Sequence, residues 1–414
     1  MERRTVLLGG VAAATGLAIG VPARAQSPTY KIGASAALSG DAAAYSKPYN
    51  DATLIAAEEF NKEGGIGGRR IEVVYYDDRG VPDIALQSVK KLVLDDAVKA
   101  LLPGSTSGAT FITMRVGKEA KIPMWSYALA KQVITDGEGM IFRSSPPDQV
   151  TIPALAKYAH KKGYRRVGII HVDHFYGEFV RNTFKKAFEA LGDGAKIVAA
   201  VSQPVGGRDV SSQLLTVAGA KPDCMYMGTN GAAFAPTFRQ IRQFLPRNTP
   251  VLTDTELGYP SFRNELKELA NGGVYYNSKM SEVNSDPLNQ HWIRLLREKL
   301  GVYQEIMGRA PVGMAVLREA VKRAGTFDGI AVMKQVHRMK NFPTMGGPFT
   351  YDPRDGEALK TCLICEAMPG NDPSKDRVLE SYATTDAIYE ERIDFTKYFG
   401  AGYKEELYKF HGVS

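Results

Sequence analysis

From residue 30 to about 276 the chain alternates short apolar, β-rich runs with segments of helical periodicity. Strands are predicted at 30–36, 71–76, 99–102, 122–126, 166–172, 195–201, 224–227, 251–253 and 274–276. Between the first two, Tyr49, Ala52, Ala56 and Phe60 share one face of a predicted helix over 48–61. Pro48 suits its first turn, and Gly64-Gly65 stops it. Leu86, Val89, Leu92 and Val93 form the equivalent face of a helix over 83–94.

Repeated strand–helix units build parallel sheets with helices on both faces. Right-handed crossovers then bring every strand's C-terminal end to one edge, where ligands of such sheets bind. The pattern breaks three times. Ser144-Ser145-Pro146-Pro147 interrupts it within 143–149. After residue 276 long helices take over, at 286–300, 312–323 and 329–339. A third break at 343–348 precedes two short strands, 349–351 and 362–366. The expected fold is therefore α/β, with two doubly wound parallel-sheet lobes joined by three crossovers. One lobe comprises 28–145 and 278–344, the other 146–277 and 345–380. The polar, aromatic tail over 381–414 has no place in this scheme.

Composition narrows the class. The chain has 414 residues, enough for more than one core, and its ordinary hydrophobic and charged fractions exclude disordered and fibrous classes. The net charge of +7 is diffuse, with no basic cluster interleaved with aromatics, so nucleic acid is not an expected partner. Three cysteines exclude a disulfide scaffold. Residues 1–25 read as an export signal: Glu2-Arg3-Arg4, an apolar stretch to Val21, then the small-x-small Ala23-Arg24-Ala25. Arg3-Arg4 resembles a twin-arginine signal, and ordinary secretion is equally compatible. Cleavage near Ala25 would release the mature chain to the periplasm. No cysteine near that point offers a lipid anchor.

Catalytic and metal chemistry find little support. Gly64-Gly65-Ile66-Gly67-Gly68 follows a helix and precedes a strand, the reverse of a pyrophosphate loop, and reads as a turn. His171-x-x-His174 with Asp173 falls short of a coordination set, so no metal is expected and the loop reads as solvated. Cys362-x-x-Cys365 lies in a β-like run, where residues three apart face opposite ways, so two separate packed thiols are expected. Asp77-Asp78 reads as a solvated strand end. No nucleophile elbow or phosphate loop occurs, and neither an enzyme nor a cofactor is expected.

Three strand-end loops stand apart: 39–45, Gly104-Ser105-Thr106-Ser107-Gly108, and Ser126-Tyr127-Ala128-Leu129-Ala130. Small and hydroxyl residues at helix N-termini leave backbone N–H groups free for a carboxylate. Converging at one sheet edge, they predict a ligand site.

At these residues the chain resembles the periplasmic solute-binding proteins of branched-chain amino acid ABC transporters. The resemblance runs from Tyr30 to Glu366. It is carried by Ala56-Ala57-Glu58-Glu59-Phe60-Asn61-x-x-Gly64-Gly65-Ile66-x-Gly68-Arg69-x-Ile71-Glu72, Asp77-Asp78, Asp173-x-x-Tyr176-Gly177, Gly273-Val274-Tyr275 and Gly347-Pro348-x-x-Tyr351-Asp352. It implies two lobes around a cleft that binds a small solute, an amino acid or small carboxylate, and delivers it to a membrane permease without chemistry; a monomer is expected. It also implies site roles. Tyr45 packs on the ligand. Ser107 and nearby backbone hold its carboxylate, beside the loop carrying Ser126, Ala128 and Ala130. Tyr176 closes from the second lobe, Asn230 lies in another of its loops, and Glu256 holds an ammonium, with Asp254 a second candidate for that role. Ala130 and Asn230 replace the Thr and Tyr common at these family positions, which opens the alternative of an aromatic carboxylate or amide solute. Trp125 and Tyr127 serve either an aromatic pocket or the core. A ligand-sensing domain of the same fold is the other functional alternative.

Overall fold

A computed structural model describes residues 28–413. The proposed export signal lies outside the described residues. Five strands, β1 (Thr29–Ala36), β2 (Arg70–Asp77), β3 (Ala100–Leu102), β4 (Met124–Ser126) and β5 (Ile141–Arg143), form a first sheet in the order β2-β1-β3-β4-β5. Every pairing in it is parallel. β6 (Arg166–Val172), β7 (Lys196–Gln203), β8 (Cys224–Gly228), β9 (Val251–Thr253) and β10 (Val274–Asn277) build the parallel part of a second sheet. The chain then returns to the first sheet through the helices Pro287–Leu300, Glu305–Ala324 and Gly329–His337 and a hairpin of β11 (Phe342–Thr344) and β12 (Gly347–Phe349). β13 (Thr361–Glu366) and β14 (Arg377–Ala383) go back to the second sheet, antiparallel, giving the order β14-β13-β10-β9-β8-β6-β7. The expected two-sheet α/β architecture is thus present.

Several boundaries differ from the expected ones. The first helix runs Ala43–Lys62, with Pro48 inside it rather than in its first turn. One ladder bond to Ala44 is forgone there. It packs under Glu305–Ala324, and Arg318 fastens the two by donating to the carbonyls of Gly65 (3.0 Å) and Glu63 (3.0 Å). The expected helix over 312–323 begins instead at Glu305, because Pro311 lies within it and disguised its first two turns. β5 runs up to the expected break at 143–149 and was not expected, its three residues being too few for a periodic signal. The expected break at 343–348 is itself the β11–β12 hairpin, so residues 349–351 are not a separate strand.

Gly64–Gly68 form the expected turn. Gly65 has φ +70°, and a Cβ on it would meet the Arg69 carbonyl oxygen at 2.0 Å, so only glycine fits. Cys362 and Cys365 are free and buried, on opposite sides of β13 in different hydrophobic clusters. Burial holds both thiols protonated, with Cys365 pushed up to about 12. Native protein is therefore expected to resist a thiol reagent that labels Cys224, Cys362 and Cys365 after denaturation; fast native labelling would contradict this burial.

The tail has a definite place. β14 carries the chain past residue 381 on the second sheet. Residues 388–411 then cross to the first. Tyr389 donates to Glu357 Oε1 (2.9 Å), and Lys131 pairs with Glu391 at 2.6 Å. Phe395, Phe399 and Tyr403 pack around His337, whose burial keeps it neutral by lowering its pKa to about 3.

Candidate functional site

The C-terminal ends of both sheets face one another across a cavity of about 370 Å³. One wall comes from the first sheet. After β3, Thr106 caps the helix Ser107–Glu119, its Oγ1 accepting from the Ala109 N–H at 3.1 Å. Capping is therefore Thr106's role, and Ser107 is free to face the cavity. The Ser107 hydroxyl accepts only one long bond, from the Ala130 N–H at 3.4 Å. Ser105 is tied down more firmly, accepting from the Ala37 N–H at 2.6 Å and lying 2.8 Å from the Ser46 hydroxyl. Tyr45, Ala128 and Tyr127 complete this wall.

The second sheet supplies Tyr176, Asn230, Asp254 and Glu256. Tyr176 and Tyr276 bring their hydroxyls to 3.5 Å, and Tyr276 donates to the buried Asp148 at 3.1 Å. Both Glu256 oxygens accept from the Gly231 N–H, at 3.2 and 3.1 Å. Asp254 Oδ1 accepts from the Glu256 N–H at 3.1 Å. The two acids are buried without a salt bridge to either. Burial, and then Asp254's own charge, holds Glu256 well above the usual carboxylate range; burial pushes Asp254 up to about 7. Both shifts favour a protonated pair below about neutral pH, and a cation beside it would favour the ionised one.

The walls touch across the cleft mouth. Asp41, from the loop after β1, accepts from the Ala232 N–H at 3.1 Å. Phe111 and Phe175 stack with ring centroids 5.8 Å apart and 19° between planes.

Six of the eight expected site residues line the cavity: Tyr45, Ser107, Ala128, Tyr176, Asn230 and Glu256. Ser126 and Ala130 do not. Ser126 Oγ accepts from the Ala128 N–H (3.0 Å), and the Ala130 carbonyl accepts from Arg143 (3.0 Å). They shape the loop from behind, through these bonds and the Ala130 N–H donated to the Ser107 hydroxyl. Trp125 belongs to the core, its Nε1 donating to the Tyr49 hydroxyl at 2.9 Å. Asp78 is not solvated: it is fully buried, accepting from the Ser35 hydroxyl (2.7 Å) and the Gly80 N–H (2.8 Å). Nor is the His171–His174 segment an open loop. His171 is buried in β6, and His174 lines the cavity while its Nδ1 caps the helix Phe175–Glu189 through the Gly177 N–H (2.9 Å). Among the described residues no three His, Cys, Asp or Glu side chains cluster as metal ligands, and no helix is long and apolar enough to cross a membrane.

Arg309 was not foreseen. It reaches the cavity from the helix Glu305–Ala324, far in sequence from the strand-end loops. Its Nη2 lies 2.7 Å from Glu305 Oε2, and Glu305 also accepts from the Ser278 hydroxyl. Burial opposes its charge, but Glu305 more than offsets that and raises its pKa.

Two sheets closing a cavity between their ligand-binding edges define a two-lobed solute receptor. The chain belongs to the periplasmic binding protein family, whose model matches residues 29–370. It is similar to the Leu/Ile/Val-binding protein BraC3 of Rhizobium johnstonii, at 25% identity over 77% of this chain and 86% of that one. A leucine-binding protein LivK of Thermotoga maritima has a similar fold: TM-score 0.78, 21% identity, 86% of this chain and 99% of that one. So does a solute-binding protein of an R. palustris ABC transporter in complex with benzoate: TM-score 0.77, 19% identity, 88% and 99% covered. The protein is thus an extracytoplasmic solute-binding protein rather than an enzyme. The family match ends at residue 370, so the whole tail lies beyond it.

Proposed function

We propose that the protein captures an amino acid in its cleft and delivers it to the membrane permease of an ABC transporter, acting as a monomer after its signal is cleaved near Ala25. The observation that carries this reading is the buried Asp254–Glu256 pair facing the cavity with no counter-charge bonded to it. A carboxylate in such a place is costly without a cation, and a ligand ammonium supplies one. The opposite wall offers the Ser107 hydroxyl and the N-terminus of its helix to the ligand carboxylate. The relatives named for leucine, isoleucine and valine support the same class. A second reading, an aromatic carboxylate without an amine, draws on the tyrosines at 45, 127, 176, 259 and 276 around the cavity.

Mass spectrometry of the solute retained through purification tests the proposal directly. Calorimetry with an amino acid and its deaminated analogue separates the readings: tighter binding of the analogue would replace the amino acid with a simple carboxylate. Lobe closure on the solute is expected to reduce the radius of gyration in small-angle scattering, and an unchanged value at saturation would remove the cleft as the site.

Ser107→Ala is expected to weaken binding by about 1.5–3 kcal/mol, the range for a hydrogen bond to a charged group. Because Thr106 keeps the cap, the thermal midpoint should barely move. Unchanged affinity in calorimetry would assign the carboxylate to backbone N–H groups alone.

A further inference from the structure

The amino-acid reading accounts for the Asp254–Glu256 pair and for the Ser107 wall, but not for a buried guanidinium in the same cavity. Arg309 is one turn beyond Ile306, and both line the cavity. A guanidinium carries five N–H donors. Its Nε donates to Glu305 at 3.2 Å and its Nη2 to the same carboxylate at 2.7 Å. Nη1 makes only a long bond, 3.4 Å, to the Tyr127 carbonyl. Two donors have no acceptor among the described residues. Water or a ligand must satisfy them, because buried donors left unpaired are costly. The cavity, about 370 Å³, has room for about a dozen water-sized groups at ~30 Å³ each. That exceeds what a zwitterionic head group alone fills.

We propose that Arg309 reads the far end of the solute, so that the site selects an amino acid whose side chain ends in a carboxylate or carbonyl oxygen. This rests on the amino-acid reading, in which Ser107 and its helix N-terminus take the α-carboxylate and the acid pair takes the ammonium. The buried donors then lie on a third element, the helix Glu305–Ala324, beside Tyr127, Tyr259 and Tyr276 and near enough to the acid pair to lower both of its pKa values, while Arg79 lines the cavity from an exposed position after β2. Glu305 holds the guanidinium in one orientation, leaving its outer donors for a planar acceptor. Such a site also disfavours a purely apolar side chain, which would cover those donors without bonding them.

The test compares four probes by calorimetry: L-glutamate, L-glutamine, L-methionine and L-leucine. Methionine has nearly the length of glutamine without its carbonyl. Wild type is expected to bind glutamate or glutamine at least tenfold more tightly than methionine and leucine. The double variant Arg309→Met with Glu305→Gln, which leaves no orphaned charge, is expected to erase that preference. Arg309→Lys, which keeps the charge and loses the planar fork, should reduce it while folding normally by circular dichroism. Equal or tighter binding of leucine or methionine by wild type overturns the inference and leaves the amino-acid reading intact. So does a double variant that weakens all four probes by one factor, because Arg309 then holds the α-carboxylate. Binding of deaminated carboxylates with no binding of any amino acid overturns both readings together.

Discussion

Replacing Glu256 by Gln is expected to lower the affinity for an amino acid by about 2–5 kcal/mol, the range for breaking a buried charge pair. The carboxylate accepts one backbone N–H, from Gly231, and lies beside Asp254; Arg309, bonded to Glu305, attracts it only through space, so a ligand ammonium would be its one bonded counter-charge. The amide cannot offer a counter-charge. Binding of the deaminated analogue should be unchanged or improved, since that ligand brings no ammonium for residue 256 to meet. If neither ligand responds in calorimetry, Glu256 does not meet the amine. The same chemistry sets a pH dependence. Burial raises the Asp254 pKa from 3.8 to about 7. Below its ordinary value, folded and unfolded chains both carry the proton and nothing is lost. Between about 4 and 7 the unfolded chain releases it while the folded one keeps it, so ligand-free stability falls as pH rises through that window. Amino-acid binding needs the ionised pair and should strengthen over the same window, with proton release. Calorimetry in buffers of different ionisation enthalpy counts those protons; zero release at pH 6 would contradict the shared proton.

The second large effect is on stability. Glu357→Ala should cost about 3–5 kcal/mol, because it strands a buried guanidinium. Arg143 and Glu357 are both fully buried, with Nε at 3.0 and 3.1 Å from the two carboxylate oxygens. Glu357 also accepts from Tyr389 of the tail, so one carboxylate joins β5, the segment before β13, and the tail. Replacing both Arg143 and Glu357 by Met should recover most of the loss, since a buried pair taken away as a unit is often near neutral. Urea unfolding of the two variants checks this. A single substitution as mild as the double one would mean that water reaches the site.

The strand-end loops were legible because their chemistry is local. Ser, Thr and Gly at 104–108 announce a helix N-terminus wherever it folds, and the strand before them points it to the sheet edge. Tyr45, Ser107 and Ala128 lie in loops of that kind and reach the cavity, whereas Tyr176, Asn230 and Glu256 were expected there only through the family resemblance. Ser126 and Ala130 miss because one loop has an inside and an outside, which spacing does not distinguish. Asp78 looked solvated because acids usually are; its burial depends on Ser35, forty-three residues away. The tail was illegible because its apolar residues are too sparse for either period. Phe395, Phe399 and Tyr403 become a core only where His337 and Gly139 meet them.

By itself the sequence determined the alternation of strands and helices, hence parallel sheets, hence the edge at which the ligand loops gather. Those follow from period, turn chemistry and handedness, which act over a few residues. Tertiary structure alone decided which groups face one another across the cleft. Arg309 lies fifty-three residues beyond Glu256, on a helix whose sequence reads as core, and becomes a site residue only because the chain recrosses between the sheets. Charge complementarity depends on distance in space rather than along the chain, so the placing of the buried acid pair and the half-satisfied Arg309 guanidinium in one cavity appears only once the two sheets have closed.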